Sequence, residues 1–363
     1  MSVKRIPSPL LLALPLLPIL TISITSQYPD FIEKHYAQQF YPAFSHTLRT
    51  VSGVLPFSLG DLLYLLAGAY LLIQAVLQIN NLRNRQIEKN RKWQPLARLW
   101  LLLSGMYILF YVFWGLNYYR LGVTHQMQLK KQPYSKEELM DLCRDLVQQM
   151  NQHRTAPSFN NAVYVESSSM LQDAELAYAN LSKQSSFLQP TNFSLKSSWY
   201  NTLGNYAGFS GYYNPFTGEG QINTQCPKFL QPFITCHELA HQLGYASESE
   251  ANFVGFLATS HSQNITMKYS GEIEMYVYAT GRLQRIDSNA VKSFNQQLHP
   301  LIKKDLSGYR NYLLQYETVF LEWTNNFYDF FLRSNNQTSG IGSYRDVVGW
   351  VIAYRKKVIG SGL

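Results

Sequence analysis

The residues of this chain best suited to chemistry are two histidines four positions apart with a glutamate beside the first, His237-Glu238-Leu239-Ala240-His241. On an α-helix, positions i and i+4 stack on one face, so both imidazoles can reach a single metal ion. Glu238 then has its carboxylate next to that ion without ligating it, where it can take a proton from an activated water. A catalytic zinc takes three protein ligands and keeps one position for water, so the pair of histidines calls for a third donor.

The donor is sought just downstream, in Gly244-Tyr245-Ala246-Ser247-Glu248-Ser249-Glu250-Ala251-Asn252. Gly244 is a natural helix stop. Ser247 followed three residues later by Glu250 has the pattern of a capping box, which would open a second helix and occupy Glu250 at its start. Glu248 is then the freer carboxylate and the expected third ligand, with Glu250 as the alternative. Asn252 shares a helical face with Glu248 and is placed to orient a ligand through its other atoms. The metal helix itself should begin near Gln231, because Pro232 is tolerated in a first turn and not in a helix interior. Cys236, Leu239, Ala240 and Leu243 form its apolar stripe, which makes Cys236 a core residue and not a fourth ligand.

HExxH followed by Glu248-x-x-x-Asn252 resembles the gluzincin class of zinc metallopeptidases, in which a later ExxxD supplies the third ligand. Here Asn stands where the class usually has Asp, and the gap after the second histidine is short. The metzincin pattern is absent, since Ser247 occupies the position where that group has its third histidine. The wider run HELAHQLGYASESEAN, on a chain with apolar N-terminal segments, is similar to a bacterial family of membrane proteins of unknown function grouped with these peptidases. The resemblance implies a Zn2+ cofactor held by His237, His241 and Glu248, and Glu238 as the catalytic base. It also implies that the strand before the metal helix, about Gly220 to Asn223, is an exposed edge that pairs with an extended substrate. The stretch from Gly208 to Asn223 reads as two short strands joined by a glycine-rich turn with its bend at Asn214-Pro215. Tyr344, His261, His299 and Tyr276 are the candidates for stabilising an oxyanion, with no ground for choosing among them.

Three apolar stretches precede this region, about 9–25, 59–79 and 99–118. The last two approach or reach the roughly 20 residues a helix needs to cross a bilayer. The first is shorter and follows Lys4 and Arg5, so a signal peptide competes with a retained span, although no A-x-A site follows it. Arg83, Arg85, Lys89, Arg91, Lys92 and Arg98 crowd the connection between the second and third stretches, which places that loop in the cytoplasm and everything after Tyr119 outside. Asp61 is expected at the membrane interface. The net charge of +8 is largely explained by this loop and the N-terminus, so it calls for no nucleic acid. Three cysteines are too few for a disulfide framework, and spacing alone decides nothing about a Cys226–Cys236 bridge.

The expected fold class is α+β: N-terminal transmembrane helices in residues 1–120, then a mainly helical zincin-like metallopeptidase domain with a small β-sheet in 121–363. Helices are expected over Ser135–Asn151, Glu248–Ser260, Glu272–Ile286, Tyr309–Arg333 and Tyr344–Lys357, with a short strand at Val163–Glu166. The function expected is a zinc-dependent peptidase in the bacterial inner membrane. It would face the extracytoplasmic side, act on peptides or proteins there, and have the lipid bilayer as its other partner. The rival expectations are a membrane sensor or peptide-binding scaffold that keeps zinc for structure, and an amidase acting on cell-wall or small-molecule substrates.

Overall fold

The computed structural model of the chain describes residues 9–83, 93–129, 133–159 and 167–361, apart from 339, 341 and 343–346. Three expectations fall outside them: the strand at Val163–Glu166, Tyr344, and the basic residues Arg85, Lys89, Arg91 and Lys92.

Two helices are long and apolar enough to cross a membrane, Leu59–Asn80 and Gln94–Phe113. They belong to α3 (Leu59–Arg83) and α4 (Gln94–Phe113), and their most apolar stretches are 0% and 11% buried within the protein. A side-chain surface so apolar and so uncovered is stable only in lipid, and the chain is a membrane protein. The first apolar stretch is a short helix, Pro9–Ala13, followed by α1 (Leu16–Thr25), and it lies against α4, where the Trp100 indole donates to the Leu12 carbonyl at 3.0 Å. It continues into residues 29–53 through a bend of 101°, so it counts as a third span only if the bent pair is one.

The segment after that bend, which sequence reading left blank, is helical: a π-helical stretch over Ile32–Phe40 runs into α2 (Tyr41–Gly53). It packs on the extramembrane part. Arg49 on α2 is 1% exposed and donates to the backbone carbonyls of Thr191, Asn192 and Gln242 at 3.0, 3.0 and 3.1 Å. Glu33 accepts two bonds from the Arg120 guanidinium, at 2.8 and 3.0 Å, and Arg120 in turn donates to the Gly244 carbonyl at 3.1 Å. The start of α3 is fastened in the same way, since Glu219 accepts from the Leu59 and Gly60 amides at 3.1 and 2.7 Å. Asp61 is fully buried and accepts from the Trp199 amide at 2.8 Å and from the Tyr212 hydroxyl at 2.5 Å. It is thus a bracket between the start of α3 and the domain beyond.

The rest is mostly helical. After the capped helix α5 (Lys136–Thr155), whose Ser135 and Glu138 close a reciprocal capping box, come α6 (Ser167–Ser182) and α7 (Asn201–Ala207). The metal-motif helix is α8 (Gln231–Gln242), followed by α9 (Glu248–Ser260), α10 (Ile265–Leu283), α11 (Ser288–Gln297), α12 (Pro300–Gln315), α13 (Val319–Ser334) and α14 (Val347–Ser361). The expected single helix over Tyr309–Arg333 is two: Thr318 caps α13 by accepting from the Leu321 amide, which ends the chain's continuity after Gln315. Helix α10 starts earlier than expected because Asn264 caps it through the Thr266 amide.

A three-stranded sheet of β1 (Leu195–Ser197), β2 (Gly211–Tyr213) and β3 (Gly220–Ile222) lies beside α8 in the order β1-β3-β2. β1 runs parallel to β3 with Lys196 opposite Gln221, and β2 runs antiparallel to it with Tyr212 opposite Gln221. This corrects one expectation. The Gly220–Asn223 strand is not an edge, because β1 takes its second side; the edges among the described residues are β1 and β2.

Arg49 is itself buried and serves three backbone carbonyls at once, of which that of Gln242 lies in the interior. Arg49→Met should therefore cost about 3 kcal/mol of stability, from unpaired acceptors and a lost charged donor. Arg144→Met, at an exposed ion pair with Asp141, should leave unfolding unchanged. Urea unfolding of the full chain in detergent checks this, and equal midpoints for the two variants would disprove the role of Arg49.

Candidate metal centre

Helix α8 starts at Gln231 with Pro232 in its first turn, and ends where Gly244 takes a φ of +87°. All twelve of its residues are buried. Cys236, Leu239 and Ala240 point into the core at 0% exposure, while His237, Glu238 and His241 line a cavity of about 600 Å³. Cys236 is free, as are Cys143 and Cys226, so no Cys226–Cys236 bridge forms.

The histidines meet Glu248, the first residue of α9. Its Oε2 lies 3.2 Å from His237 Nε2 and 3.8 Å from His241 Nε2, and these are the three side chains that could hold a metal ion among the described residues. Ligands about 2.0 to 2.2 Å from a tetrahedral ion stand roughly 3.3 Å from one another, so the spacing suits zinc with little movement. Each imidazole is fixed through its other nitrogen: His237 Nδ1 is 2.8 Å from Asn252 Oδ1, and His241 Nδ1 is 2.7 Å from the Tyr245 carbonyl. Both partners are acceptors, so Nδ1 carries a proton, and Nε2 is the atom that each ring turns toward Glu248 and would offer to a metal. Asn252 therefore orients the His237 ring, one turn along α9 from Glu248.

Glu248 is the cluster member and Glu250 is not, but for a different reason from the one the sequence offered. Ser247 makes no side-chain cap on α9. Glu250 instead leaves its own helix and accepts from the Val123 amide at 2.8 Å, at the start of the helical turn Gly122–Gln126.

Two side chains remote in sequence complete the setting of Glu248. The Tyr328 hydroxyl on α13 donates to Glu248 Oε1, and Gln337 Oε1 accepts from the Glu248 amide at 3.3 Å. Nothing in the sequence singled out Tyr328 among 26 tyrosines. The oxyanion candidates are placed elsewhere: the Tyr276 hydroxyl bonds Asn295 at 2.8 Å, His261 bonds the Leu257 carbonyl at 2.8 Å, and His299 caps α12. None of these three lines the cavity.

The cavity's charged groups are all acidic, Glu238, Glu248 and Glu274, among the described residues. Burial pushes the Glu238 carboxyl up to about 8, with His237 opposing and Glu248 adding to the shift. Burial pushes on Glu248 too, but the hydrogen bond and charge of His237 and the charge of His241 hold it at about 2. Burial disfavours charge on both rings, yet the nearer His237 is raised by Glu248, while His241 falls to about 4 and stays neutral. Glu238 Oε2 is buried without a hydrogen-bond partner. Such an atom is costly unless something polar is meant to meet it, and an ion with its water would do so.

Two glycines allow this packing. A Cβ on Gly255 of α9 would stand 3.1 Å from the His237 amide nitrogen, so the helix crossing that brings Glu248 to the histidines has no room for a side chain. A Cβ on Gly211 of β2 would lie 2.4 Å from Glu238 Oε1, so the strand passes directly over the candidate base. Gly255→Ala should cost about 1 to 3 kcal/mol by overpacking. Gly281→Ala on α10, where the added methyl meets open space, should be neutral or stabilising by about 1 kcal/mol. Comparative thermal unfolding of the two variants tests this, and a silent Gly255→Ala would refute the tight crossing.

No curated protein and no solved structure matches this chain. A family model described as "protein of unknown function (DUF3810)" matches residues 36–352, which takes in α2, both membrane helices, the sheet and the whole metal cluster. The chain belongs to that family.

Proposed function

We propose that this protein is a membrane-anchored zinc metallopeptidase. The observation that carries the reading is the cluster itself: three ligand atoms from two helices, each ligand oriented by a second hydrogen bond, beside an open cavity and an unpartnered buried glutamate oxygen. A structural zinc is normally closed by a fourth protein ligand. Here the fourth direction is cavity, which favours catalysis over a scaffold.

Bound at His237, His241 and Glu248, zinc would supply a Lewis acid that activates a water and polarises a carbonyl. Glu238 takes a proton from the attacking water as the new C–O bond forms, then delivers it to the nitrogen as the C–N bond breaks. Its raised proton affinity suits the second half of that cycle, and a nearby dication would lower it for the first. Tyr328 holds Glu248 by its hydroxyl.

Strand β2 supplies a place for the substrate chain. The Asn214 amide donates to Glu219 at 2.8 Å and the Asn223 amide to Ser210 at 2.9 Å, so residues 210, 212 and 214 turn their backbone groups toward β3. Gly211 and Tyr213 therefore turn theirs away from β3, to a side that pairs with no strand among the described residues, and Gly211 passes so near Glu238 that a Cβ there would meet its carboxylate. An extended peptide added to this edge would run past the cluster with its carbonyls within reach of the base. We place the site on the extracytoplasmic side of a bacterial inner membrane, since the basic residues of the α3–α4 connection belong inside.

Metal analysis of the full chain in detergent tests the cofactor: about one zinc per chain, retained by Glu250→Gln and lost from His237→Ala and Glu248→Gln. A folded wild type that binds no zinc would end the proposal. Glu238→Gln should keep the metal and lower the hydrolysis of unstructured protein substrates by about a hundredfold or more. Undiminished hydrolysis by that variant would show that the glutamate is not the base.

A further inference from the structure

Helix α13 has three faces. One is turned inward and carries Leu321, Tyr328 and Phe331, which line the cavity. A second is polar, with Glu322, Asn326, Asp329 and Arg333. The third carries Val319, Phe320, Trp323, Phe327 and Phe330, and its aromatic members Trp323, Phe327 and Phe330 are 72%, 70% and 68% exposed. These five fall within an arc of about 100° on a helical wheel. The neighbouring Leu313 and Leu314 of α12 and Leu203 of α7 are about half exposed as well. An apolar patch of this extent on an extramembrane surface marks a surface that is covered in use.

The position of the patch identifies what covers it. The C-terminal end of α13 is fastened to the end of membrane helix α4: Phe331 packs edge-on against Phe110 at 5.9 Å, and the Tyr111 hydroxyl donates to Asn335 Oδ1 at 2.9 Å. The other half of α13 rests on α7, where the Thr324 hydroxyl donates to the Ala207 carbonyl at 3.1 Å. The segment entering α7 is fastened to the start of membrane helix α3 through the Trp199 amide on Asp61, and Trp199 packs on Phe57 at 6.1 Å. A helix about 24 Å long, tied at one end to α4 and toward the other, through α7, to the start of α3, has the attachments to lie along a membrane surface and not project from it. Its exposed side chains are tryptophan and phenylalanine, the types that settle at the boundary between headgroups and acyl chains.

We propose that the aromatic face of α13 is immersed in the lipid interface beside the outer ends of α3 and α4, and that the mouth of the metal cavity opens at the level of the headgroups. The cavity lining agrees: Tyr64 of α3 and Phe110 of α4, from the membrane helices themselves, share it with Asn325 and Tyr328 of α13. Chains reach the cluster along the membrane surface, so the substrates are polypeptides tethered to the same bilayer. This last point rests on the peptidase reading, whereas the lipid contact does not.

The test needs no activity. Full-length protein carrying a single added cysteine labelled with an environment-sensitive fluorophore is placed in phosphatidylcholine nanodiscs containing spin-labelled lipid; the three native cysteines are buried. A label at Phe327→Cys should be quenched at least twofold more than one at Glu322→Cys on the polar face. A label at Asn325→Cys, at the cavity mouth, should be quenched by a headgroup-level spin label and not by one deep in the acyl region. If Phe327→Cys is quenched no more than Glu322→Cys, the face meets protein or water and the proposal falls. If Asn325→Cys escapes the headgroup-level quencher, the cavity opens away from the membrane and the access route is wrong. Zinc content measured on the same samples separates either failure from a failure of the metal site.

Discussion

The carbonyls at the C-terminal end of α8 are the point on which the molecule turns. A helix must leave its last carbonyls without intrahelical partners, and this helix ends in the interior, where water cannot serve them. Two arginines do so. Arg49 takes the Gln242 carbonyl and Arg120 those of Leu243 and Gly244, while Tyr41 adds its hydroxyl to the carbonyls of His241 and Gln242 at 3.3 and 3.2 Å. Positive charge at a helix C-terminus also complements the helix dipole. Arg49 comes from before the first long membrane helix and Arg120 from just after the second, with Glu33 closing the set by pairing with Arg120 at 2.8 Å. The helix that carries the histidines is therefore held by the flanks of the membrane region, and the two parts of the chain act as one framework around the cavity.

That framework fixes the cavity's electrostatics. Its lining holds three carboxyls and no lysine or arginine among the described residues, so the only side chains there that could balance a carboxylate are the two histidines. The two cannot both carry positive charge, since burial keeps His241 neutral. Burial answers by raising the proton affinity of Glu238, and its unpartnered Oε2 is a visible cost of the site. A dication at His237, His241 and Glu248 would relieve it at the one place where three donors already converge.

Much of this was legible where a residue's type forces its geometry. His237 and His241 had to share a face, Pro232 had to stand at a helix start, Gly244 had to end the helix, and the apolar stretches of α3 and α4 had to meet lipid. Glu248 was reached by a capping argument that the structure does not follow: Ser247 makes no cap, and Glu250 is drawn away by the Val123 amide from another part of the chain. Long-range hydrogen bonds leave no local trace, which is also why Tyr328, Arg49 and the helical segment over 29–53 went unread. The strand order failed for a related reason. Short strands announce themselves by composition, but whether a second neighbour joins is decided by a remote segment, here β1, which took the side of β3 that a substrate was expected to use.

Helix α13 joins these considerations. Its inward face holds Glu248 through Tyr328, and the chain just beyond it holds the Glu248 amide through Gln337. Its outward face is the aromatic surface that meets lipid in our reading, and one turn separates Trp323 from Phe327, the immediate neighbour of Tyr328. A rigid helix cannot tilt one face without moving the other. The depth at which the aromatic side chains sit therefore sets where the Tyr328 hydroxyl stands, and through it the orientation of the carboxylate that would complete the metal site. In our reading metal coordination and membrane contact would in this way be two demands on a single element, and lipid that orders α13 would order Glu248 with it.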